Sequence, residues 1–122
     1  MIRNILLIGF GGALGSMLRY ITGQLIGPKP FPLATLLINI AGSFIIGAVM
    51  AYSLKNESFS VNWKLFLATG ICGGFTTFSA FSLENLVMIE TGKYTMVAVY
   101  ICASVLTAIA AVWLGFKAVN EL

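Results

Sequence analysis

The chain has 122 residues, 59% of them hydrophobic and 9% charged, with a formal net charge of +3. Soluble domains carry charge on about 25% of their residues, so this composition belongs to a membrane protein. With neither His nor Asp present, histidine-based zinc chemistry and Ser-His-Asp hydrolysis are excluded, and no enzyme is expected.

Apolar runs predict four spans, at about 2–26, 33–54, 63–89 and 94–119. Each is close to or longer than the roughly 20 residues a helix needs to cross a bilayer. The expected fold is therefore an all-α membrane protein, a single four-helix transmembrane domain with short connections. The first run continues past Arg19 without a small-residue cleavage site, so it reads as a retained helix and not as a signal peptide. It is dense in glycine: Gly11 and Gly15 form a GxxxG, and Gly12 with Ser16 adds a second small-residue face on which helices can approach closely. Arg19 is costly at membrane depth, so it marks either a functional site or a side chain that snorkels to the interface.

Prolines 28, 30 and 32 make the next connection a loop. In the second span Thr35, Asn39 and Ser43 recur every four residues and share one face. That face serves either to bond a neighbouring helix or to line a polar path. Cys72 and Cys102 lie inside predicted spans and read as small packing residues.

The third span holds the most unusual segment, Gly-Ile-Cys-Gly-Gly-Phe-Thr-Thr-Phe-Ser-Ala-Phe-Ser at 70–82. Gly73 and Gly74 free the backbone, while Thr76, Thr77, Ser79 and Ser82 crowd hydroxyls where lipid offers no partners. The helix is expected to break mid-membrane, between about Gly73 and Thr77. Irregular backbone at that depth survives only when buried in protein or facing a water-filled cavity. Phe78 and Phe81, three residues apart, face the same way, and Glu84 follows one turn later. In the fourth span Tyr100, Ser104 and Thr107 form another single-face polar stripe.

Charge gives a weak topology signal. The end holding the termini and the second connection carries Arg3, Lys55, Lys64 and Lys117; the opposite end carries Lys29 and Lys93. Insertion in either direction and a single orientation with cytoplasmic termini both fit so small a bias. Three polar faces cannot all be satisfied within four short helices, and a two-fold homo-oligomer solves that economically. The solute is expected to be an anion. The intramembrane donors are Arg19, the Asn39 amide and several hydroxyls, against one carboxylate, Glu84, whereas cation paths display carboxylate or carbonyl rings. A benzene edge is partially positive, so phenylalanines suit a small hard anion.

Along essentially its whole length the chain resembles the CrcB/Fluc fluoride channels. The matching motifs are Gly11-Gly12-x-x-Gly15-x-x-x-Arg19-Tyr20, Thr35-Leu36-x-x-Asn39-x-x-Gly42-x-Phe44-x-x-Gly47, and the highly specific run from Thr69 to Ser82 followed by Glu84. The resemblance implies an antiparallel dual-topology homodimer in the cell's inner (plasma) membrane. Such a dimer passes fluoride passively through two pores to relieve fluoride toxicity, with a structural sodium ion at its centre. It implies that Phe78 and Phe81 present their ring edges to fluoride and that Asn39 contacts or orients the ion. Thr77 and Ser79 then belong to the polar surroundings of the break, Arg19 lies by the vestibule, and Tyr100 and Ser104 continue the polar track. The backbone carbonyls of Gly73 and Thr76 would hold sodium. Ala80 departs from the threonine common in the family and removes one hydroxyl. A small multidrug-type proton-coupled transporter is the competing expectation. It needs a carboxylate in the membrane, typically in the first helix, where this chain has Arg19 and no acid.

Overall fold

A computed structural model describes residues 1–122 and is helical throughout, without strands. Four helices are long and apolar enough to cross a membrane: Ile2–Ile26, Leu33–Lys55, Val61–Glu90 and Tyr94–Asn120. We name the first two α1 and α2. The third span comprises α3, residues 61–75, and α4, Phe78–Glu90; α5 is Tyr94–Asn120. At 1.5 Å per residue, a 25-residue helix such as α1 extends about 37 Å, enough to traverse a ~30 Å hydrocarbon core.

The ends follow from local chemistry. Gly27 and Gly92 adopt positive φ (72° and 74°), which stops α1 and turns the chain between α4 and α5. Ser60 caps α3 by accepting a hydrogen bond from Trp63 N–H at 3.4 Å, so the helix begins two residues before the expected start at 63. Lys55 Nζ donates to the Val119 carbonyl at 3.0 Å and ties the end of α2 to the end of α5.

Within α3 the turns widen to π-helical geometry over Leu65–Cys72, then return to α for Gly73–Phe75. Wide turns of this kind are rare and gather at functional sites. Here they bring backbone against the glycine face of α1. A methyl group on Gly11 would meet the Phe66 carbonyl oxygen and Gly70 Cα; on Gly15 it would meet Ile71 and Phe75 backbone. Gly74 sits equally close to Gly12. The α1–α3 pair is thus a small-residue contact made on both sides, as the GxxxG pattern anticipates. A second such pair joins α2 to α5, where Gly47 lies on Val112 and Gly115 lies on Phe44.

Between α3 and α4, Thr76 (φ −77°, ψ 157°) and Thr77 (φ −151°, ψ 124°) are extended. After them α4 leaves the α1–α3 layer, and of the other long helices it packs chiefly on α5. The bundle surface is largely apolar. Leu6, Phe10, Leu25, Leu83, Leu106 and Ile109 are all exposed, as a surface solvated by lipid tails requires.

Candidate functional site

The two extended threonines change where backbone hydrogen bonds go. In a continuous helix Thr77 N–H would bond the Gly73 carbonyl. Instead it donates to Asn39 Oδ1 at 2.8 Å, and Asn39 Nδ2 returns a bond to the Thr77 carbonyl at 3.1 Å. The Asn39 amide on α2 therefore pairs with Thr77 as another strand of backbone would. Ala80 N–H, the helical donor for the Thr76 carbonyl, bonds Thr77 Oγ1 at 3.1 Å. Thr77 is thereby the N-cap of α4. Both substitutions release the carbonyls of Gly73 and Thr76 from their helical donors. The Gly74 carbonyl, also freed, accepts from Arg19 Nε at 3.2 Å and from Ser16 Oγ at 3.5 Å.

Beside this interruption lies a groove of about 400 Å³, lined by Asn39, Ser43, Gly73, Thr76, Thr77, Phe78, Phe81 and Ser104 with small and apolar neighbours. Phe78 and Phe81 stand with ring centroids 5.5 Å apart and planes tilted at 41°. Phe78 is 78% exposed within one chain, so it is not a core residue of the monomer. Ser104 Oγ is buried in the groove wall without a protein partner. Thr77 and Ser79 hydroxyls are 3.3 Å apart. The donors left for a guest are the second Asn39 N–H, the Ser104 hydroxyl proton, and the one proton of the Thr77–Ser79 hydroxyl pair that the two do not share.

Of the residues expected from sequence, the structure gathers Asn39, Gly73, Thr76, Thr77, Phe78, Phe81 and Ser104 at this groove, with Ser79 adjoining through its hydroxyl. Arg19 lies on the α1 side of the interruption, where it caps α3 and does not line the groove. Tyr100 is fully buried next to it, its ring 5.0 Å from Phe81. Thr107, the end of the α5 stripe, is exposed and bonds its own helix at Ala103.

A cluster that sequence reasoning did not assemble stands behind Phe81. Glu84 accepts from Thr35 Oγ1 at 2.5 Å and from Tyr100 OH at 2.6 Å. Three helices thus meet at one carboxylate whose two oxygens are each engaged by a hydroxyl. The available signal was spacing: Thr35 is one turn before Asn39, Tyr100 is one turn before Ser104, and Glu84 is one turn after Phe81. Each is the next residue outward on a face already identified as polar or aromatic.

Comparison with known proteins agrees with these motifs. Residues 6–116 match the family described as CrcB-like protein, Camphor Resistance (CrcB). The chain is 46% identical over 116 residues to a protein of Agrobacterium fabrum named fluoride-specific ion channel FluC, covering 92% of each chain. It is 43% identical over 119 residues to the FluC of Azobacteroides pseudotrichonymphae, covering 95% of each. Against the FluC of Leptospira interrogans serovar copenhageni the identity is 45% over 120 residues, covering 92% of this chain and 94% of that one. A match over nearly the whole chain, including the interrupted third span that carries the groove, makes this multi-pass membrane protein a member of the CrcB family.

Proposed function

We propose that the chain is a fluoride-selective passive channel that lets F⁻ leave the cell across its plasma membrane, and not an enzyme. The observation that carries this reading is the groove itself. It sets the Phe78 and Phe81 rings beside uncommitted N–H and O–H donors and contains no charged side chain. A ring-edge contact contributes about 0.5–1.5 kcal/mol. Two rings therefore supplement, and do not replace, the hydroxyl and amide donors that substitute for lost water. Chloride, larger and weaker as a hydrogen-bond acceptor, gains less from such a site.

The groove is open on one side of the chain, and Phe78, Ser79 and Gly73 are exposed there. Polar groups facing lipid are costly, so a second copy is the natural cover. The reading is an antiparallel homodimer with two pores and the α3–α4 interruption at mid-membrane. The weak Lys/Arg bias between the two ends is compatible with insertion both ways. The carbonyls of Gly73 and Thr76, having lost their helical donors to Asn39 and Thr77, are hard oxygen ligands of the kind that suit sodium. When bound, the ion would supply fixed positive charge and satisfy carbonyls that lipid cannot.

Proton-coupled drug transport is disfavoured by Glu84, the carboxylate within the spans, whose two oxygens are already held by Thr35 and Tyr100. The test is efflux from proteoliposomes containing only this protein. Rapid fluoride loss with negligible chloride loss is expected; equal loss of the two anions, or none of either, would reject the channel.

A further inference from the structure

The aromatic residues of the groove are the first members of a longer row. Phe78 and Phe81 are 5.5 Å apart, Phe81 and Tyr100 5.0 Å, and Tyr100 and Phe31 5.4 Å with an interplanar angle of 77°. Phe78 and Phe81 line the groove, whereas Phe31 lines a second cavity of about 470 Å³. That cavity lies at the end of the bundle where the 27–32 and 91–93 connections meet, with Phe31 from one and Gly92 and Lys93 from the other. Between the two cavities stands the buried Tyr100 with its partners Glu84 and Thr35. Neighbouring aromatic rings therefore lead from the groove to this second opening. Lys93 is the one charged residue lining it, and it makes no salt bridge, since the molecule's single ion pair is Lys117–Glu121.

We propose that the second cavity is the outer mouth of the anion route. In it, Lys93 gathers a small monovalent anion from solution, and Phe31 is the ring of the row nearest that opening. The inference rests on the fluoride-channel reading and extends it to an entrance that the groove does not contain. A single unpaired cation at a cavity rim raises the local anion concentration, and added salt removes that effect. The screening length falls from about 10 Å at 0.1 M to about 3 Å at 1 M. By Coulomb's law in water, removing one unit charge several ångströms from the ion lowers its local concentration about threefold, and reversing the charge lowers it up to about tenfold.

The test compares fluoride efflux from liposomes holding the whole protein and its Lys93→Gln, Lys93→Glu and Lys29→Gln variants, at low and at high ionic strength. Wild-type protein passing fluoride sets the reference. Lys93→Gln is expected to slow efflux about threefold and Lys93→Glu up to about tenfold at ~10 mM salt, and both should come within about 1.5-fold of wild type at ~1 M. Lys29→Gln makes the same change in loop charge at the same end but lies outside the cavity, so its salt dependence should match wild type. Phe31→Leu, which keeps apolar bulk without a ring edge, should slow efflux at every salt concentration while the protein still elutes at its normal oligomeric size. Wild-type-like flux from Lys93→Glu at low salt would overturn the mouth while leaving the channel intact. A salt response from Lys29→Gln equal to that of Lys93→Gln would do the same. Absence of fluoride flux in the wild type would overturn both.

Discussion

Asn39 and Thr77 exchange two hydrogen bonds through a side-chain amide and a peptide group. Asn39→Ala would leave both backbone groups of Thr77 unpaired at a cost of about 1–3 kcal/mol each. A fall in the thermal denaturation midpoint in detergent is expected, together with loss of fluoride flux. Asn39→Asp, which keeps the acceptor for Thr77 N–H, should recover part of the stability. For the rings the prediction is different. Phe81→Ile retains much of the bulk and removes the polarised edge, so flux should drop by roughly tenfold or less per ring with the assembly intact on size-exclusion chromatography. Unchanged flux would remove the edge from the mechanism. Both residues were legible in the sequence, Asn39 from its four-residue spacing and the phenylalanines from their position beside paired glycines. The Asn39 face was open to two readings, bonding a neighbour or lining a path; the structure bonds its amide to Thr77 and places Asn39 in the groove wall. The pairing of Glu84 with Thr35 and Tyr100 was not legible, because contacts between helices depend on their rotation about their axes, which spacing within one helix leaves free.

The glycines of α1 and α3 act as a set. Gly11, Gly15, Gly70 and Gly74 each face backbone of the other helix too closely for a side chain. Gly74→Ala would place a methyl group against Gly12 backbone and force the helices apart, with a cost of about 1–3 kcal/mol typical of overpacking. Gly23→Ala, where nothing lies within 4 Å, should be neutral or slightly stabilising, because alanine is the better helix former. Thermal stability of the two variants in the same detergent separates these outcomes. That helix one would pack tightly was evident from GxxxG; that its partner is a π-helical segment was not. Wide turns depend on what presses against them, and nothing in 65–72 marks them in composition. Arg19 shows the same limit. Its cost in a bilayer singled it out, but the free carbonyl that it caps exists only because α3 ends at Phe75.

For the molecule as a whole, one chain leaves a polar groove open and α4 thinly packed, features that the proposed second copy would cover. If two opposed copies are needed, the weak charge bias becomes a functional property. Adding two lysines to the connection at 56–60, which raises the count at that end from four to six against two at the other, should drive uniform insertion, and fluoride flux per protein should then fall several-fold. Accessibility of a cysteine introduced in that connection to a membrane-impermeant thiol reagent reports the orientation, with Cys102 replaced by Ser, since it is exposed. Full flux from a uniformly oriented population would count against the antiparallel dimer.

The number of spans, their approximate limits, the anion-favouring inventory and the importance of 70–82 all follow from the sequence, because each depends on hydropathy, backbone freedom or composition within a short stretch. The tertiary structure alone decided which free carbonyls find donors, which side of the interruption Arg19 occupies, and how the ring row continues through Tyr100 to Phe31. Those outcomes depend on the relative rotation and depth of separate helices, and side-chain packing between distant segments sets both.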